Sequence, residues 1–150
     1  TVEHLKQRMP YCFIDKSYPG IPKLSLRTAY AGRSIQVEGI TIMPFTVVHG
    51  RLPILGYRIG KVAYITDMLT MPEDSFEMLK GLDLLIINAL RIRPHSTHQT
   101  LEQAIKVGET IGSKATYFIH MSDGIGLHDE VESMLPDGFH LAYDGLEIDI

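Results

Sequence analysis

Asp83-Leu84-Leu85-Ile86-Ile87-Asn88-Ala89 is the stretch on which the fold turns. It is a near-continuous apolar run, far shorter than the roughly 20 residues needed to cross a bilayer, and it reads as a buried strand. Downstream, the spacing predicts a helix over Thr100 to Ile111, with Thr100 and Gln103 at capping-box distance and Gly112 after the last residue. A strand over Lys114 to Ile119 comes next, then a helix over Leu127 to Leu135. Phe139 to Ile148 reads as an alternating strand pair broken at the hairpin dipeptide Asp144-Gly145. Upstream, Pro72 to Leu79 reads as a helix with proline in its first turn. Before it come short β-like runs: Lys23 to Thr28, Ser34 to Glu38, Ile40 to Val48, Ile54 to Ile59 and Lys61 to Thr66, with Gly32, Gly39 and Gly60 as turn residues. The first thirty residues are irregular, punctuated by Pro10, Pro19-Gly20 and Pro22, with Val2 to Met9 resembling the end of a helix. The order is a β-rich meander followed by βαβαβ, an α/β class.

Composition narrows the function. The 150 residues carry 14 Lys+Arg against 18 Asp+Glu, a net charge of −4, with both signs scattered along the chain. No basic arm or polybasic patch is present, so neither nucleic acid nor a membrane is the expected partner. The balance is that of one globular domain spanning residues 1–150. The single Cys12 cannot close an internal disulfide, and the amino-terminal stretch lacks a charged-then-apolar signal pattern, so a cytoplasmic setting is expected.

The polar residues collect at strand ends. His49 follows the run ending at Val48, Asp67 follows the one ending at Thr66, and His120 follows the one ending at Ile119. His98 lies in the polar loop Arg91 to Gln99 after the strand Asp83 to Ala89. Strand ends can converge at one sheet edge, where open α/β sheets commonly bind ligands. Two imidazoles and a carboxylate meeting there suit zinc or manganese. Any one of these residues alone reads more readily as a turn residue or a cap than as a ligand. Their shared position argues for a site. His95 and His98 have H-x-x-H spacing, but Pro94 and Thr100 confine both to a loop, so the spacing is a weak metal motif. His4, His128 and His140 read as surface or interfacial residues. There is no G-x-S-x-G elbow, Cys12 has no nearby His to activate it, and Gly124-Ile125-Gly126 is neither a Walker loop nor a dinucleotide fingerprint.

Four segments together resemble the metallo-β-lactamase-fold hydrolases. They are Val48-His49-Gly50-Arg51-Leu52-Pro53-Ile54-Leu55-Gly56-Tyr57-Arg58, Tyr64-Ile65-Thr66-Asp67, His95-Ser96-Thr97-His98 and Phe118-Ile119-His120. Within that superfamily the chain looks most like the phosphoribosyl cyclic-phosphate phosphodiesterases, with tRNA 3′-processing endonucleases as near neighbours. The resemblance implies an αββα sandwich and two divalent metal ions, zinc or manganese. It also implies that His49 completes one metal site, Asp67 bridges both ions, His120 completes the other, and His98 protonates the departing oxygen. Paired ions clamp the attacking and leaving oxygens of an in-line displacement. The family's H-x-H-x-D-H motif does not occur in these residues, where the only His before His49 is His4. The chain is therefore expected to be the C-terminal part of the sandwich, a partial metallo-β-lactamase-like domain, inactive by itself. It is expected to form a homo-oligomer or to associate with the missing half, and its substrate to be a small phosphodiester, cyclic or nucleotide-like. Two alternatives stand beside this: a tRNA 3′-processing nuclease, and a non-catalytic module that kept the fold.

Overall fold

A computed structural model describes residues 1–14 and 19–149. Of the irregular stretch expected over the first thirty residues, positions 15–18 lie outside the described residues. The chain forms two compact units, Thr1–Tyr30 and Ala31–Ile150. The first contains helix α1 (Val2–Arg8) and a 3-10 turn at Pro10–Phe13 that carries the buried, free Cys12. Leu24 N–H donates to the Cys12 carbonyl at 3.2 Å. The expected strand at Lys23 to Thr28 is not formed. That segment follows Pro22, and the Leu24 bond to Cys12 takes one of its backbone donors away from any ladder.

The second unit is built on one seven-stranded sheet whose strands lie in sequence order: β1 (Ile35–Val37), β2 (Ile40–His49), β3 (Leu52–Ile59), β4 (Val62–Ile65), β5 (Leu84–Asn88), β6 (Ala115–Ile119) and β7 (Phe139–Leu141). β1 to β4 pair antiparallel, as short turns require. β4 to β7 pair parallel, because helical crossovers separate them: α2 (Glu73–Glu77), α3 (Leu101–Ile111) and α4 (His128–Glu132). Two antiparallel steps return β2 to the direction of β4. The carboxyl ends of β2, β4, β5 and β6 therefore share one edge.

Helix α3 starts as its sequence dictates. Thr100 Oγ1 accepts from Gln103 N–H and Gln103 Oε1 accepts from Thr100 N–H, at 3.2 and 2.9 Å, and Gly112 ends the helix in the left-handed region at φ 68°. Its buried residues Leu101, Ala104, Gly108 and Ile111 form one stripe. Gly108 is required there, since a Cβ would stand 2.5 Å from the Phe139 ring. The stripe packs into a core with Phe45, Val47, Ile65, Leu85, Ile87 and Phe118, each fully buried and each worth about 1.5–3 kcal/mol of burial. The other face of the sheet carries one row across five strands, Pro44, Tyr57, Tyr64, Ile86 and Tyr117, of which Tyr64 is exposed.

Two further expectations are corrected. Pro72 is the residue before α2 rather than a member of its first turn. Only Phe139–Leu141 of the expected hairpin is a strand, and it pairs parallel with β6. Asp144-Gly145 makes a turn, but none of the described residues after it returns as a strand. Among the described residues no helix is long and apolar enough to cross a membrane.

Candidate metal centre

The carboxyl edge of the sheet brings the strand-end residues together. His49 is the last residue of β2, Asp67 lies two residues past β4, and His120 one past β6. His98 arrives from the loop between β5 and α3. Asp67 Oδ1 is the hub: it stands 3.2 Å from His98 Nε2 and 3.1 Å from His120 Nε2. The His98 ring stacks on that of His120 with centroids 4.9 Å apart, and His49 meets it edge-on at 4.6 Å. The His95 ring lies 5.1 Å from it. The strand-end pattern pointed to His49, Asp67 and His120 as metal ligands, and the family resemblance implied proton transfer for His98. The compact donor set in the structure is Asp67, His98 and His120, each offering a ligand atom within 4.8 Å of the others, with His49 joined through the His98 ring.

Local sequence explains the placement. His120 adopts φ 59°, a left-handed conformation costing a non-glycine residue on the order of 1 kcal/mol or more. Such strain is retained at sites where the surroundings over-determine it. Gly50 sits at φ 63°, and a Cβ there would stand 2.8 Å from Thr97 Cγ2. That bare position lets Thr97 close in, and its hydroxyl lies 2.8 Å from His98 Nδ1. One ring nitrogen of His98 is thus fixed by Thr97 while the other faces Asp67, the arrangement that orients histidines at metal sites.

Electrostatics reflect this crowding. Burial lowers the His98 pKa, the neighbouring His120 and His49 charges lower it further, and the Asp67 hydrogen bond opposes them without prevailing. The ring is held toward its neutral form. For Asp67, burial raises the pKa, but the His98 hydrogen bond and the His120 charge outweigh it and leave the carboxyl below its ordinary value. With 12% of its side chain exposed against 44% for His120, His98 is the inner residue of the pair.

The donor chemistry fits a divalent ion. Ligands ~2.1 Å from a tetrahedral ion stand about 3.4 Å apart, close to the separations of Asp67 from each imidazole. Asp67, His98, His120 and His49 are the residues able to hold such ions.

Asn88, the polar residue near the end of the apolar run Asp83 to Ala89, has no role legible in the sequence. It is fully buried at the end of β5, accepting from Met68 N–H at 2.8 Å and donating to the Met68 carbonyl at 2.9 Å. The same carbonyl accepts from Gln99 N–H at 3.0 Å. Met68 is therefore the knot between the Asp67 segment and the His98 loop. Asn88→Ala leaves the buried Met68 N–H unpaired and is expected to lower stability by about 1–3 kcal/mol and metal affinity by about 10- to 100-fold. Urea denaturation and metal titration of the variant check both; unchanged affinity would show that Asn88 does not position the site.

Comparison with known proteins agrees with this geometry. Residues 1–121 match the family described as the beta-lactamase superfamily domain. An octanoyltransferase of Porphyromonas gingivalis (strain ATCC BAA-308 / W83) is 42% identical over 148 residues, 98% of this chain and 30% of that protein. The crystal structure of a diphosphatase from the PhnP family superposes with a TM-score of 0.86 at 38% identity, over 97% of this chain and 53% of that one. Human tRNase Z, short form, shares the fold with a TM-score of 0.60 at 19% identity, over 77% of this chain and 45% of that one. The chain thus spans about half or less of these proteins. On the family match, the seven-stranded α/β sheet and its agreement with these structures, the chain belongs to the beta-lactamase superfamily domain family and has the metallo-β-lactamase fold.

Proposed function

We propose that the protein containing this chain is a metal-dependent phosphodiester hydrolase acting on a small cyclic-phosphate or nucleotide-like substrate. The observation that carries the reading is the convergence of His49, Asp67, His98 and His120 at one sheet edge. The similarity to a PhnP-family diphosphatase supports it. His49, Asp67 and His120 would hold divalent ions, zinc or manganese, with further ligands supplied from outside these 150 residues. When bound, such ions polarise the phosphoryl group and lower the pKa of water. His98, set by the Thr97 hydroxyl at Nδ1 and by Asp67 at Nε2, would serve as the acid for the departing oxygen in its protonated form, which burial opposes and the Asp67 hydrogen bond favours.

The octanoyltransferase relative does not redirect this reading. The match covers 30% of that protein, so the activity in its name need not lie in the shared stretch. A tRNA-processing nuclease is the second enzyme reading, supported by the shared fold and opposed by the net charge of −4. The proposed setting is a reducing cytoplasm, where a second copy or the remainder of the protein covers the Tyr57–Tyr64–Tyr117 face.

The test is hydrolysis of bis(p-nitrophenyl) phosphate and of a nucleoside 2′,3′-cyclic phosphate by the intact protein, before and after chelation. Activity lost on chelation and restored by zinc or manganese is expected. Failure to cleave either ester with either metal restored would refute the reading.

A further inference from the structure

The loop that carries His98 is irregular backbone, yet its two ends are tied together. Leu90 N–H donates to the Gln99 carbonyl at 3.0 Å and Leu101 N–H to the Arg91 carbonyl at 3.1 Å, so the chain leaves β5 and enters α3 through one neck. That closure fixes the ends of the loop, and its interior needs a support of its own. Arg91 supplies it. Its Nε donates to the Arg93 carbonyl at 3.1 Å and its Nη2 to the Pro94 carbonyl at 2.8 Å. The planar guanidinium thus spans two successive carbonyls just before His95, a fork that a lysine amine cannot reproduce. From there the support passes through side chains: Thr97 Oγ1 lies 3.2 Å from His95 Nδ1 and 2.8 Å from His98 Nδ1.

The stem of Arg91 meets the segment that follows His120. Gly124 lies in the turn Asp123–Ile125, and a Cβ on it would stand 3.2 Å from Arg91 Cβ and 3.5 Å from Arg91 Cδ, so its bare backbone rests on that stem. The Gly124 carbonyl accepts from Ile92 N–H at 3.3 Å, and the Leu90 carbonyl accepts from Ser122 N–H at 2.8 Å and Ser122 Oγ at 3.0 Å. The root of the His98 loop is thereby stitched to the chain leaving β6. We infer that Arg91 is a positioning residue: its guanidinium, seated on the Arg93 and Pro94 carbonyls and backed by Gly124, sets the His98 ring against Asp67. A clamp of the same kind stands at the opposite edge of the sheet, where Arg58 donates to the Gly60 carbonyl at 2.8 Å and the Lys80 carbonyl at 3.0 Å.

The effect of Arg91 on rate rests on the phosphodiesterase reading, its geometry does not, and the test on the intact protein keeps the two apart. The variants are Arg91→Ala and Arg91→Lys, with Arg58→Ala as the control that breaks a like clamp elsewhere. Magnetic resonance spectra of the histidine rings are recorded for each, the His98 signals being identified by their loss in His98→Ala, alongside kcat and KM on a nucleoside 2′,3′-cyclic phosphate and on bis(p-nitrophenyl) phosphate. Arg91→Ala is expected to move the His98 ring signals and to lower kcat on the cyclic phosphate by about 10- to 100-fold, the usual cost of losing an outer support, with KM little changed. The nitrophenolate ester should lose less, and Arg91→Lys, which keeps one bond, should fall between. Arg58→Ala should leave the His98 signals and both rates in place. Parental His98 signals in Arg91→Ala, or shifts that Arg58→Ala matches, overturn the assignment. If Arg91→Ala does not fold, Arg91→Lys compared with Arg58→Ala decides in the same way. A protein that cleaves neither ester refutes the reaction, and the ring spectra of the same variants still uphold or overturn the role of Arg91.

Discussion

Replacing Asp67 by Ala in the intact protein is expected to abolish metal retention through dialysis and to lower kcat by about 10³-fold or more, since a metal contributes several kcal/mol to stabilising the transition state. Asp67 Oδ1 is the atom that the His120 and His98 imidazoles both approach, at 3.1 and 3.2 Å. Without it, His98 and His120 are left stacked against each other with no anion between them, and a divalent ion loses its charged ligand there. Asp67→Asn keeps the volume and one acceptor oxygen but removes the charge, so it should retain the fold while losing most of the bound metal. Metal stoichiometry by atomic absorption and turnover on bis(p-nitrophenyl) phosphate measure the two effects separately. An Asp67→Ala protein with parental metal content and rate would remove Asp67 from the centre altogether.

The second large effect belongs to His98, and its pattern depends on the role. As the leaving-group acid, His98→Ala should keep the metal and lower kcat by about 10²–10⁴-fold on an alkyl leaving group. The loss should shrink on a nitrophenolate ester, whose anion departs without a proton. As a ligand, in keeping with its place in the compact donor set, its loss should remove metal and activity together whatever the leaving group. Metal content and kcat of His98→Ala, on two substrates of different leaving-group pKa, decide between the two. We expect the first pattern, with His49→Ala and His120→Ala showing the second.

Much of this fold could be read from side-chain pattern because the pattern was local. The apolar runs of β2, β4, β5 and β6 report burial in the sheet, and Thr100, Gln103 and Gly112 announce the ends of α3 through contacts within a single turn. Lys23 to Thr28 alternates as a strand should, but alternation cannot say whether a partner exists. Phe139 to Ile148 misled for a related reason: the dipeptide Asp144-Gly145 does turn the chain, but a returning strand needs a free neighbour, and β7 pairs with β6 instead. His49, Asp67 and His120 were legible because each stops an apolar run. Asn88 was not, since its meaning exists only when the Met68 backbone faces it across 20 positions of sequence. Thr97 was silent as well, because its hydroxyl matters only through the gap left by Gly50.

The order of the strands has a kinetic consequence. Each strand pairs with its neighbour in sequence, so the sheet can grow from β1 outward without any strand inserting between two already joined. Local pairing of this kind shortens the loops that must be closed during folding. The four donors then arrive in the order His49, Asp67, His98, His120, and the last of them is positioned only when β6 docks on β5. A cation shared by these four donors would bind only once β6 has docked on β5, and a contact formed after the folding transition state slows unfolding more than it speeds folding.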